Sequence, residues 1–450
     1  MSCSKCAIPT FALAIASAIL AADGQIPAEP LAEAILFAEL GLDGRVRPVR
    51  GAVVAAVAAA RAGRPRVVVA ARSAAEADVV PGVTAIGVAS LRQWGQMLTG
   101  ATVDEVLDDP IGEGHVGAAG TGPEQPAPAP RDLADVLGQP EAVAALEVAA
   151  VGGHHVAMIG RPGVGKTLLA ERLPTILPDL TDADALTVTA IRSIVADVSG
   201  LVRRPPFESP HHTATVAALV GGGRGGQPTP GAVTLAHGGV LFLDEAAEFG
   251  AACLESLRQP LEAGVVCIAR AGFTSRMPAR FQLVLAANPC PCGVGDGNGA
   301  QCRCRSQDRR RYLARLSGPL MDRVDIRLTL GPPGRSTWSA NSGDADSATV
   351  RARVSEARIR TADRCAALGL ASLPNGAQPS ALLRGVLAPD PGAADLLGAA
   401  ITSGRLSARG ADRAIRVAWS LADLARAGRP GLDEVGRALT LRGELWEAGT

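Results

Sequence analysis

The chain has 450 residues, enough for roughly two or three domains that each bury a core. Lysine and arginine (44) balance aspartate and glutamate (44), so no net field draws the protein to nucleic acid or membrane, and any such contact has to come from a local patch. Nine cysteines, an odd number and mostly clustered, argue against a secreted disulfide framework and for a reducing cytoplasm.

At the amino end, Lys5 and the apolar run from Ile8 to Ala22 imitate a secretory signal, but the run is too short to span a bilayer. Phe11, Ile15 and Ile19 recur at helical spacing, which predicts a helix that buries this stripe and ends near Asp23-Gly24. Phe37 to Leu42 reads as a strand, Asp43-Gly44 as a hairpin turn and Val46 to Val49 as the return. A second apolar helix, Ala52 to Ala62, stops at Gly63, and Arg66 to Ala70 is a strand. This order over residues 1–100 resembles the carboxyl half of the proteolytic domain of Lon-type proteases, a ribosomal-protein-like α+β fold. The resemblance places a catalytic lysine on the helix at 52–62, where Val53 and Val54 stand at the start and no lysine occurs. No serine in a Pro-Ser-Ala-Gly setting precedes Phe11 either, so a nucleophile with its activating base is missing and peptidase chemistry is not expected. Residues 101–130, ending in Pro-Glu-Gln-Pro-Ala-Pro-Ala-Pro130, read as a linker, semi-rigid where proline is dense.

Asp132 to Gln139 leads into a helix through Val151; Asp135 to Gln139 is similar to the adenine-lining segment of AAA+ domains, and a plain helix cap explains it as well. Val156 to Ile159 then reads as a buried strand and Leu168 to Leu173 as a helix. Between them, Gly160-Arg161-Pro162-Gly163-Val164-Gly165-Lys166-Thr167 fits the G-x-x-x-x-G-K-[ST] phosphate loop. Its glycines let backbone N–H groups turn toward phosphates at a helix N-terminus, Lys166 would reach the β- and γ-phosphates, and the Thr167 hydroxyl would ligate Mg²⁺. About seventy residues separate this loop from the next motif, more than a minimal βαβ repeat needs. They include Pro205 to Thr213, with adjacent His211 and His212, and the glycine run Val220 to Gly226. Two neighbouring histidines rarely meet on one ion without further ligands, so no metal is assigned to them. The glycine run reads as a mobile loop that would face the pore of a ring-shaped motor.

Gly239-Val-Leu-Phe-Leu-Asp244-Glu245 is an apolar strand ending in two carboxylates: Asp244 to hold the Mg²⁺ shell and Glu245 to polarise the water that attacks the γ-phosphate. Leu257 to Gly264 is a helix end and Val265 to Arg270 a hairpin strand. Phe281 to Ala287 is the next central strand and ends at Asn288, placed to orient that water. Cys290-Pro-Cys292 and Cys302-Arg-Cys304 follow. Their number and clustering suit a tetrahedral structural Zn²⁺; reduced thiols and a redox disulfide are the alternatives. Arg303, Arg305, Arg309, Arg310, Arg311 and Arg315 form the densest positive cluster, either a solvated helix face or a contact for nucleic-acid phosphates, with the single Tyr312 too little for base stacking. Arg323 stands at a strand start as a finger for a neighbour's γ-phosphate. Residues 334–345 are polar and loose, and from Ala348 onward the pattern is a helical lid, one helix of which opens around Arg409, Arg413 and Arg416.

From Gln25 almost to the end, the chain resembles the magnesium-chelatase-like AAA+ ATPases of the ComM/YifB type. The likeness is carried by Glu39-Leu-Gly-Leu-Asp-Gly-Arg45-Val-Arg-Pro-Val-Arg50-Gly51, the Gly-Gly-His154-His155 lead into the phosphate loop, and Pro210-His-His-Thr213. It continues through Leu235 to Glu245, Asn288-Pro-Cys-Pro-Cys-Gly293, Arg311-Tyr312 and Ser317-Gly-Pro-Leu-Met-Asp322-Arg323. The resemblance implies an α/β fold: an AAA+ P-loop core (αβα) over 131–333, a helical lid over 334–450, and an incomplete Lon-protease-like domain in front. It implies ATP and Mg²⁺ bound between subunits of a homo-oligomer, a hexameric ring, with no membrane contact. Lys166, Thr167, Asp244, Glu245 and Asn288 would act from one subunit, Arg323 from its neighbour, and Arg409 as the lid arginine, with Arg413 second. DNA is the partner it implies, through branch migration in transformation and recombination; a motor that remodels a protein and a nucleotide-binding remnant without turnover are the alternatives. The family carries about ninety more residues at the amino end, so roughly half of the Lon-like sheet is expected to be missing, with an open edge and uncovered apolar helices.

Overall fold

The computed structural model describes residues 8–102, 131–224, 227–270, 273–294, 302–316, 318–332 and 346–443; the linker read over 101–130 and the loose stretch over 334–345 fall almost entirely outside them. In the front part, α1 (Ile8–Ala22) precedes β1 (Ala34–Leu36), the short hairpin β2 (Glu39–Leu40) and β3 (Val46–Arg47), α2 (Ala52–Arg61), β4 (Arg66–Ala70), β5 (Thr84–Val88) and α3 (Leu91–Thr99). The sheet is parallel, in the order β1-β4-β5. Strand periodicity decides which side each β4 valine serves. Val67 and Val69 pack with Ala52, Val53, Ala56 and Ala59 of α2, whereas Val68 and Ala70 pack with Leu13 of α1 and Trp94 of α3. Val53, at the start of the helix that carries the lysine in Lon-type proteases, is thus a core residue. The hairpin turns at Gly44, whose φ of 78° only glycine adopts without strain, but its strands are two residues each, shorter than the Phe37–Leu42 and Val46–Val49 readings.

The helix expected over 8–22 forms, with the opposite face buried. Phe11, Ile15 and Ile19 are 51%, 48% and 62% exposed, while Leu13 and Ser17 are enclosed. Both stripes recur at helical spacing, but the buried one carries Thr10 and Ser17, and a polar requirement selects it. The buried Trp94 indole N–H donates to the Ser17 hydroxyl at 3.2 Å, and Ser17 in turn donates to the Leu13 carbonyl at 2.8 Å.

Glu76, in the short helix Ala74–Ala77, is 8% exposed, and its Oε1 has no hydrogen-bond partner among the described residues. Burial, with the Asp197 charge added, pushes its carboxyl up to about 7. A raised carboxyl favours folding below the unfolded value near 4.5 and loses that contribution as pH rises through 7. Glu76→Gln should therefore raise stability at pH 8 by about 1–2 kcal/mol and leave it nearly unchanged at pH 5, read by denaturant melts at the two pH values.

The central part begins with α4 (Pro140–Gly152), β6 (Val156–Gly160), α5 (Lys166–Ile176), α6 (Asp182–Ser193) and β7 (Phe207–Glu208). Then come the hairpin β8 (Gly221–Arg224) and β9 (Gln227–Pro230), β10 (Val240–Leu243), α7 (Arg258–Ala263), a second hairpin, β11 (Val265–Arg270) and β12 (Phe273–Pro278), and β13 (Gln282–Ala287). Following β13 are α8 (Ser306–Leu313), α9 (Gly318–Met321) and β14 (Ile326–Leu330). Five strands form one parallel sheet in the order β14-β6-β13-β10-β7. Its inner strands are continuous apolar runs because both faces are covered. Val156, Met158, Phe242 and Val284 face α4, α5 and the lid; Ala157, Leu241, Leu243 and Leu285 face the opposite layer. This is the αβα arrangement that the resemblance implies. The front part leans on it: Leu186 and Ala190 of α6 pack against the core of α2, and Gly51 N–H donates to the Ser193 carbonyl at 2.8 Å.

The glycine run read as a mobile loop is instead a strand where it is described, β8 pairing with β9. Close backbone approach requires the glycines there: a Cβ on Gly221 would meet the Thr229 carbonyl at 2.8 Å, and one on Gly231 the Leu219 carbonyl at 2.6 Å. The longer helices of the lid are α10 (Ser347–Ala367), α11 (Pro391–Thr402), α12 (Ala408–Ala425) and α13 (Leu432–Leu441). It is keyed by buried Asp423, which accepts from Thr361, Arg364 and Asn375. Among the described residues no helix is long and apolar enough to cross a membrane.

Candidate functional site

The strand order places the ends of β6, β13 and β10 side by side at the carboxyl edge of the sheet, where loops leave an open crevice. β6 ends at Gly160, packed so tightly that a Cβ would lie 2.9 Å from the Leu330 carbonyl. Gly163 and Gly165, at φ 80° and 93°, turn the chain into α5, whose N-terminus has no side-chain cap. Its first N–H groups are therefore available to an anion. Lys166 is 8% exposed and its ammonium folds back onto the carbonyls of Gly160 (2.6 Å) and Arg161 (3.0 Å) and onto Asn288 Oδ1 (3.1 Å). Burial lowers its pKa, opposed by the charges of Asp244 and Glu245.

From the end of β10, Asp244 Oδ2 accepts the Thr167 hydroxyl at 2.8 Å. A hydroxyl and a carboxylate in contact, beside a lysine and a helix N-terminus, are hard oxygen donors of the kind Mg²⁺ uses when substrate phosphates supply the rest. The residues present fit that ion. Glu245 holds a left-handed conformation (φ 50°), uncommon outside glycine, with its N–H donating to Asp244 Oδ1 at 2.9 Å. Glu245 lines the crevice, a cavity of about 360 Å³, with Gly163, Lys166, Thr167, Asp244 and Asn288.

One neighbour of this group escaped the sequence reading. His212 Nδ1 lies 3.2 Å from Glu245 Oε2. β7 pairs with β10 through Phe207–Val240 and Glu208–Leu241, so the chain leaving β7 emerges beside the end of β10. The Pro210-His-His-Thr213 motif was visible, but only this pairing gives it a role. His212→Ala should lower turnover by about tenfold with nucleotide affinity unchanged, because Glu245 loses the group that aims it; parallel steady-state and binding titrations separate the two.

Arg323 and Arg409 lie elsewhere. Arg323 precedes β14, whose Ile326 pairs with Val156 at the start of β6, and therefore sits at the amino edge of the sheet. Five strand residues at ~3.3 Å each, about 16 Å, separate that edge from the phosphate loop. The Arg323 side chain is 17% exposed and ion-paired with Glu262 of α7. Arg409, read as a lid arginine over bound phosphates, lines the cavity of Arg323 and Glu262, about 350 Å³, and not the phosphate-loop crevice of its own chain. It is exposed at the first turn of α12. Arg413, the second choice, is committed to structure: it donates to Asp325 Oδ1 at 2.6 Å and to the Arg323 carbonyl at 2.9 Å. Burial pushes the Asp325 carboxyl up, but the hydrogen bond from His154, with the His154 and Arg413 charges, outweighs it and holds the group well below the usual carboxylate range.

Four cysteines form a second centre. The Sγ atoms of Cys290, Cys292, Cys302 and Cys304 lie within 4.8 Å of one another, an arrangement compatible with Zn²⁺. Arg303, Arg305, Arg310 and Arg311 are exposed on and just before α8.

Residues 132–336 match the family described as magnesium chelatase, subunit ChlI; residues 344–442 match its C-terminal family, and residues 5–73 a further ChlI family. An uncharacterised protein of Mycobacterium tuberculosis is 48% identical over 96% of this chain and 82% of its own. YifB of Escherichia coli is 40% identical over 77% of this chain and 66% of its own, and the competence protein ComM of Haemophilus influenzae 38% over 77% and 67%. Lon protease 2 of Bacillus subtilis is 31% identical over 30% of the chain and 25% of its own, a partial likeness.

Proposed function

The chain belongs to the magnesium-chelatase-like AAA+ ATPases of the ComM/YifB type, and we propose that within this family it is an ATP-hydrolysing ring motor that works on DNA in the cytoplasm. The observation that carries the reading is the convergence of Lys166, Thr167, Asp244, Glu245 and Asn288 on one crevice at the carboxyl edge of the sheet. Lys166 would exchange its carbonyl partners for β- and γ-phosphate oxygens, and Thr167 with Asp244 would hold Mg²⁺. When bound, Mg²⁺ would neutralise charge on the transferring phosphoryl group. Glu245, aimed by His212, accepts the proton of the attacking water, and Asn288 orients that water.

The site is incomplete in one chain. Arg323 lies one strand length, ~16 Å, from the phosphate loop and Arg409 lines the same cavity as Arg323, so in this reading a neighbour supplies both in a head-to-tail ring, a hexamer. A structural Zn²⁺ on the cysteine quartet completes the cofactor set. DNA as the substrate draws support from the exposed arginines before and along α8 and from the name of one relative, a competence protein. Steady-state ATP turnover with and without forked DNA tests the reading. Stimulation that weakens as salt rises, through lost counterion release, is the expected result. Turnover indifferent to DNA would favour a motor that remodels a protein, and nucleotide binding without turnover a remnant.

A further inference from the structure

The cysteine quartet is built into the nucleotide crevice at two points. It begins two residues after Asn288, whose Oδ1 accepts the Lys166 ammonium at 3.1 Å. Gly293, at φ 76°, then lays its backbone against the phosphate loop: a Cβ there would stand 2.9 Å from Pro162 Cγ. The other pair, Cys302 and Cys304, leads directly into α8. Just past that helix, Arg315 Nη1 donates to the Ala247 carbonyl at 3.4 Å and to Glu248 Oε2 at 3.2 Å, beside Glu245. A bond between the two cysteine pairs would thus tie the ends of β13 and β10 to the phosphate loop.

The sulfurs are spaced for such a bond. Cys290–Cys292, Cys290–Cys302 and Cys292–Cys302 Sγ distances are 3.2, 3.7 and 3.6 Å. A disulfide would bring two sulfurs to about 2.05 Å. A tetrahedral ion with bonds near 2.3 Å to thiolates sets its ligands about 3.8 Å apart. Four soft, compact donors select Zn²⁺ over the Mg²⁺ of the neighbouring crevice.

We propose that Cys290, Cys292, Cys302 and Cys304 bind one Zn²⁺ as thiolates, each thiol releasing its proton to solvent, and that this ion is a clasp holding Asn288 and Pro162 in the geometry that nucleotide binding and hydrolysis require. The clasp role rests on the ATP reading above; the metal site does not. Both are tested on the full chain purified without chelator. Elemental analysis should find one zinc per chain, and replacement by Co²⁺ should give a thiolate charge-transfer spectrum. Cys302→Ser/Cys304→Ser should lose the metal, bind a fluorescent nucleotide about tenfold more weakly and turn over ATP about 10²-fold more slowly, as misplacement of a positioned group does. Cys267→Ser, an exposed thiol on β11, should change none of these. Should the double variant fail to fold, wild-type protein stripped by a mercurial and a zinc indicator, then reloaded, makes the same comparison. Zinc well below one per chain, with the quartet alkylated as fast as Cys267, overturns the site. Metal loss with nucleotide affinity unchanged overturns the clasp. Zinc-loaded protein that binds nucleotide without turnover contradicts the motor reading alone, because the affinity comparison still judges the clasp.

Discussion

Arg323→Ala should lower ATP turnover by about 10³-fold or more while nucleotide affinity stays within about twofold. Arg323 lies at the amino edge of the parallel sheet and the phosphate loop at the carboxyl edge, so this arginine cannot touch a nucleotide held by its own chain. Any effect on hydrolysis has to pass through a neighbour. In the single chain the guanidinium is held against Glu262, which is 66% exposed, and assembly would exchange that carboxylate for a γ-phosphate. An ion pair with so exposed a partner is worth only about 0–1 kcal/mol, so the variant should melt close to wild type. The variant also keeps the Arg323 carbonyl that Arg413 uses, so the link from α12 to the sheet survives. Phosphate release and fluorescent-nucleotide titration, measured side by side, check the split. Equal losses in both would mean that Arg323 supports the crevice of its own chain.

Lys166→Ala should weaken nucleotide binding by about 10²-fold or more, because a charge-assisted contact of about 3 kcal/mol is lost. The change strips the crevice of the buried Lys166 ammonium while Asp244 and Glu245 remain, so the field facing a triphosphate turns repulsive. Alanine is a good first residue for α5, so the helix should still form. The thermal transition checks this simply. ATP at a concentration that saturates the wild type should raise its midpoint by ligand linkage and raise that of the variant far less. An equal rise in both would remove Lys166 from the site.

The crevice was legible because buried parallel strands read as short apolar runs and the polar residues that end them carry the chemistry. Val156 to Ile159, Val240 to Leu243 and Phe281 to Ala287 all announced themselves this way. What tertiary pairing decides was not legible. His212 reaches Glu245 only because a two-residue strand, β7, adds to the edge of the sheet beside β10. The sequence names Arg409 as a lid arginine but not which nucleotide it faces; the lid packs so that the first turn of α12 lines the cavity of Arg323 and Glu262. The buried face of α1 was not legible because the more apolar stripe, Phe11, Ile15 and Ile19, is the exposed one, and the face with Ser17 meets the Trp94 indole. The glycine run was misread because glycine permits both mobility and close backbone contact, and only the β8–β9 pairing distinguishes them.

The claim that two chains share each ATP site is tested most directly by mixing two inactive variants. Lys166→Ala retains Arg323, and Arg323→Ala retains the nucleotide crevice. An equimolar mixture that exchanges subunits should recover about a quarter of wild-type turnover, since one interface in four pairs an intact crevice with an intact arginine. A mixture no more active than either variant alone, under conditions where exchange is demonstrated, would contradict it.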